Sequence, residues 1–85
     1  MDERSRFFEI FDNYPDIDAS STTSIQDIQQ KFNCHPTEAR ELIDKALAEQ
    51  LIVLDNGSAR KVSYMKRYVI TQKGYQLYIY IKYGA

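Results

Sequence analysis

Four cations crowd one short stretch of this chain: Arg60 and Lys61, then Lys66 and Arg67, with Ser63, Tyr64 and Met65 between them. Basic side chains beside a tyrosine suit contact with phosphate, or insertion into a minor groove, when the stretch projects from its fold. A second set is Thr23, Ser24 and Gln26. At the start of a helix, such residues can hold phosphate through side chains and through the free amides of the first turn. A third set follows His35: Thr37, Glu41 and Asp44 share one face at helical spacing, with Arg40 on its flank. Glutamate can accept a hydrogen bond from cytosine N4, but two carboxylates cannot supply attraction for a polyanion.

Other chemistry is poorly served. Cys34-His35 contains the chain's one cysteine and one histidine, whereas a zinc site normally takes four ligands, so no metal or cofactor is expected. A Ser-His-Asp arrangement has only that one histidine to use, and nothing marks a nucleophile. The three glycines are scattered rather than gathered into a phosphate loop. We therefore do not expect an enzyme. A single cysteine cannot close an internal disulfide, which fits a reducing interior and a cytoplasmic protein. No apolar run approaches the ~20 residues that span a bilayer, and no signal peptide or membrane partner is expected.

The net charge of −1 hides a partition. Residues 1–56 hold all twelve acids and five cations, a net of −7, and residues 57–85 hold six cations and no acid. Such asymmetry points to a basic contact surface confined to the C-terminal part.

The elements that must position these residues follow from periodicity. Phe7, Ile10, Phe11 and Tyr14 lie at i, i+3, i+4 and i+7, predicting a helix over residues 3–13 that ends before Pro15. A polar loop from Asp16 to Thr22 closes with a short extended piece. Thr23-Ser24-Ile25-Gln26 has the form of a capping box opening a second helix, with Ile25, Ile28 and Phe32 inward. Pro36 suits the first position of a third helix, whose apolar face is Ala39, Leu42, Ile43, Ala46 and Leu47. Leu51–Leu54 reads as a strand, Asp55-Asn56-Gly57 as a turn, and Lys66–Thr71 as the return strand, with residues 62–68 alternating through the hairpin. Leu77–Ile81 has strand propensity, yet Thr71-Gln72-Lys73-Gly74 ahead of it looks like the opening of a helix.

Residues 24–52, SIQDIQQKFNCHPTEARELIDKALAEQLI, resemble the helix-turn-helix of MarR-like and related bacterial and archaeal regulators. That pattern leads from a short helix through a turn into Ser-Pro-Ser/Thr-x-x-x-Arg-Leu-Leu-Asp-Arg-Leu and closes on Gly-Leu-Ile. Pro36, Leu42, Ile43, Asp44, Leu51 and Ile52 match it directly, and Cys34 stands where a small apolar residue packs. Glu41 stands where an arginine is common. ITQKG, residues 70–74, is similar to the Leu-Thr-x-Lys-Gly that starts the helix after the wing.

The resemblance implies an α+β fold, a single winged helix-turn-helix domain over residues 1–85. The helix-turn-helix would span about 24–50, the wing about 51–71 and a C-terminal helix, capped by Thr71, about 72–83. It implies a DNA-binding transcriptional regulator with helix 36–50 in the major groove and the wing on the backbone. Candidate DNA contacts are Thr23, Ser24, Gln26, His35, Thr37, Arg40, Glu41, Arg60, Lys61, Lys66 and Arg67. As a helix, the C-terminal segment is apolar on nearly every side, which predicts a homodimer through Phe8, Tyr75, Tyr78 and Ile79. The alternative is a module for protein–protein contact that uses its acidic third helix.

Overall fold

The computed structural model describes residues 3–84. Four α-helices and a three-stranded antiparallel sheet form a small α+β domain. In chain order these are α1 (Glu3–Phe8), β1 (Thr22–Thr23), α2 (Ile25–Phe32), α3 (Pro36–Ala48), β2 (Ile52–Leu54), β3 (Tyr68–Ile70) and α4 (Gln72–Tyr83).

The first helix is shorter than its periodicity predicts. After Phe8 the chain tightens into i→i−3 bonds: the amides of Glu9, Ile10 and Phe11 donate to Arg6, Phe7 and Phe8. A straight α-helix offers the core one stripe, and neighbouring residues lie about 100° apart around it. The tightened turns bury Phe7, Phe8, Ile10 and Phe11 together, while Tyr14, expected in the same stripe, is exposed.

The cap of α2 lies one residue later than the capping box suggests. Ser24 is the N-cap and accepts from the Asp27 amide at 3.1 Å. Thr23 belongs to β1, pairs with Tyr68, and is fully buried with its hydroxyl donating to the Ile10 carbonyl at 3.1 Å. Thr23→Val keeps the branched shape but deletes that donor. We expect a loss of about 1–3 kcal/mol, read as a lower urea midpoint at constant m-value.

The sheet order is β1-β3-β2, with Thr22 opposite Val69, and Ile52 opposite Ile70. Alternation sends Thr23, Ile52, Tyr68 and Ile70 to the core and leaves Val53 half exposed, as a period of two requires. The β2–β3 connection is not the extended hairpin expected. It coils into two 3-10 turns, Asn56–Ser58 and Ser63–Met65. Buried Ser58 pins them by accepting from the Arg67 amide at 2.8 Å and approaching the Asp55 carbonyl at 2.9 Å.

Helix α3 begins at Pro36, as expected, and ends at Ala48. Gln50 takes the left-handed conformation at φ 61°, so the amides of Gln50 and Leu51 return to the carbonyls of Leu47 and Ala46. The next three carbonyls are gripped by the opening of α4. Glu49 accepts from Lys73 Nζ at 2.9 Å, Gln50 from the Thr71 hydroxyl at 2.6 Å, and Leu51 from the Thr71 amide at 3.0 Å. The same hydroxyl caps α4 by accepting from the Gly74 amide at 3.0 Å. The C-terminal segment is therefore a helix. Its last turn is tied down by Lys82, which donates to the Pro15 carbonyl at 2.7 Å and pairs with Asp16 at 3.3 Å.

Candidate nucleic-acid interface

The 3-10 turn Ser63–Met65 lies against α2 and is reached from α3, since the Arg40 guanidinium donates to the Ser63 hydroxyl. That bond joins two of the three candidate sets. Arg40, Arg60 and Lys61 are exposed and Lys66 is half-buried, so four cations occupy two directly connected elements. Between them Val62, Tyr64 and Met65 are each about half exposed. Their alternation, which suggests a strand in sequence, reflects a surface turn instead.

Arg67 has a different task. Its guanidinium donates to the Thr22 hydroxyl at 3.1 and 2.9 Å and lies 2.9 Å from Asp27 Oδ2, a carboxylate oxygen shielded from water. It clasps β1 and α2 to β3 and is not available as the backbone contact expected of it. The neighbouring Lys66 remains a candidate.

Two of the three residues proposed at the start of α2 are also withdrawn. Thr23 and Ser24 are buried, and each hydroxyl is engaged within the chain. Gln26 alone is exposed. Exposure could not be read from residue type, because a hydroxyl suits a cap or a strand as well as it suits a phosphate.

Around α3, His35 is the N-cap and its Nδ1 accepts from the Thr37 amide at 3.1 Å. An accepting Nδ1 places the hydrogen of the neutral ring on Nε2, and the residue as a whole is exposed. Thr37, Glu41 and Asp44 are exposed along the outer face, with Arg40 beside them. This face therefore presents two carboxylates, a hydroxyl and one guanidinium that already holds Ser63. It can read hydrogen-bond patterns on base edges, while phosphate attraction must come from the turn.

The residues expected between two copies of the chain sit differently. Phe8 and Tyr78 are 1% and 3% exposed, and their rings meet edge to face at 5.4 Å inside one chain. Helix α1 and the tightened turns after it supply the second wall that α4 requires, so burying those two rings takes no second copy. Tyr75 and Ile79 are half-buried against the same core. The exposed aromatic residues of α4 are Tyr80 and Tyr83, 62% and 65% exposed. The helical period places these two together, yet the apolar neighbours on every side mask them in sequence.

No helix among the described residues is long and apolar enough to cross a membrane. Comparison with known proteins finds no family model, no curated relative and no solved structure that matches the chain.

Proposed function

We propose that the chain is a winged-helix domain that binds double-stranded DNA as a small homodimeric transcriptional regulator. Helix α3 enters the major groove, and the wing, residues 55–67 between β2 and β3, rests on the backbone. The observation that carries this reading is the Arg40–Ser63 bond, which couples the outer face of α3 to the turn bearing Arg60, Lys61 and Lys66. The order of helices and strands, with β1 pairing on β3, agrees with the resemblance in residues 24–52 and 70–74. Copies meet through the outer face of α4, where Tyr80 and Tyr83 stand.

Replacing Arg60 and Lys61 with alanine should weaken binding to every duplex about equally. It should also flatten the log–log salt dependence by about 1.8, since each phosphate contact contributes ~0.9 to the slope. Titrations of labelled duplex over a range of salt measure this. An unchanged slope moves the contact elsewhere.

Exposed Glu38, Glu41 and Asp44 favour a second reading, in which α3 docks a basic protein rather than a groove of DNA. Carboxylates there raise electrostatic complementarity with a cationic partner and lower it with a polyanion.

A further inference from the structure

A groove of about 930 Å³ runs between α1 and α3 and shares Glu41 and Asp44 with the outer face of α3. Phe32, Cys34, Leu42 and Leu51 give it an apolar floor. Glu38, Glu41, Asp44 and Glu49 line its α3 side. Two cations share the lining, Lys45 and Arg6, the latter lying over the Phe32 ring at 5.6 Å. Four carboxylates against two cations leave the groove net negative.

Its complement is present in the same sequence. Arg60, Lys61 and Lys66 surround Val62, Tyr64 and Met65, whose side chains are 53%, 52% and 44% exposed, and no acid occurs anywhere after residue 56. An apolar turn fringed by cations matches an apolar groove fringed by acids, both in kind of surface and in sign of charge. We propose that the groove receives residues 60–66 of a second copy of the chain.

The donor has to be another molecule. Within one chain Arg40 holds Ser63, and residues 40 and 42 project about 200° apart around a helix of 3.6 residues per turn. Arg40 thus keeps the turn on one side of α3 while Leu42 faces the groove on the other. A contact between two different patches is heterologous: each chain gives a turn to one neighbour and a groove to the next, so copies add head to tail. This goes beyond the DNA reading and opposes it, because Arg60 and Lys61 cannot face carboxylates and phosphates together. Duplex DNA should dissolve the assembly.

Sedimentation at low and high salt tests the contact with four proteins: wild type, E38K/E41K, R60E/K61E, and the chain carrying all four changes. These side chains are exposed, and far-UV circular dichroism confirms that each variant is folded. Wild type should associate at low salt beyond the mass it keeps at high salt. Each double reversal should weaken that association by more than about tenfold, because like charges then face each other. The quadruple variant, with both signs exchanged, should regain it. A dimer through α4 would persist in all four proteins and at high salt, so its presence or absence is read separately. Absence of salt-sensitive association in wild type, indifference to either reversal, or failure of the quadruple variant to recover would each overturn the proposal. Duplex that binds without dispersing the assembly would overturn the competition. Duplex that does not bind would defeat the DNA reading and leave the self-contact standing.

Discussion

Phe8→Ala should destabilise the fold by about 3–5 kcal/mol, the usual cost of truncating a buried aromatic ring and leaving a cavity. Phe8 is 1% exposed, packs edge to face on Phe7 at 5.2 Å and on Tyr78 at 5.4 Å, and joins α1 to α4. Because these contacts lie within one chain, the loss should be the same at protein concentrations about a hundredfold apart. Stability lost from a seam between copies would instead vary with concentration through mass action. Denaturation curves at the two concentrations decide the matter. A variant that kept wild-type stability but halved its mass would return Phe8 to an interface.

Gly74→Ala should cost about 3 kcal/mol, although it exchanges the poorest ordinary helix former for the best. A Cβ at residue 74 would collide with the Leu51 carbonyl oxygen and come within 2.9 Å of Ile70 Cγ1. Neither obstacle can yield cheaply. The Leu51 oxygen already accepts the Thr71 amide, and Ile70 is buried at the core end of β3. For a domain of this size the change should lower the melting temperature by about 12–24 °C. A stabilised variant would mean that α4 does not approach β2 this closely.

Gly74 also shows what the sequence reveals and what it withholds. Its place in the first turn of a helix capped by Thr71 is legible from the local pattern. The close approach that demands a glycine there depends on a backbone more than twenty residues away. The same division runs through the rest of the molecule. Pro36 marks the start of α3 because a missing amide costs nothing at that position, and the core face follows from spacing alone. Arg67 looks in sequence like one more wing cation. Its pairing with Thr22 and Asp27 arises only when β1 joins β3, a register set by tertiary packing. Thr23 and Ser24 mislead for a related reason: adjacent hydroxyls can cap, pair or bind, and a shift of one residue exchanges those roles. The cationic residues 60, 61 and 66 are legible as a group, since charge does not depend on register. Their attachment to α3 through Arg40 is not.

The junction between α3 and α4 has a mechanical consequence. Three successive carbonyls, those of Glu49, Gln50 and Leu51, are held by Lys73 and Thr71, and Gly74 packs directly on the last of them. No slack separates the two helices. A tilt of α4 must carry the segment after α3 with it or break these hydrogen bonds. A load on α4 at Tyr80 or Tyr83 thus reaches, through these bonds, the segment that follows α3, the helix carrying Thr37, Arg40 and Glu41.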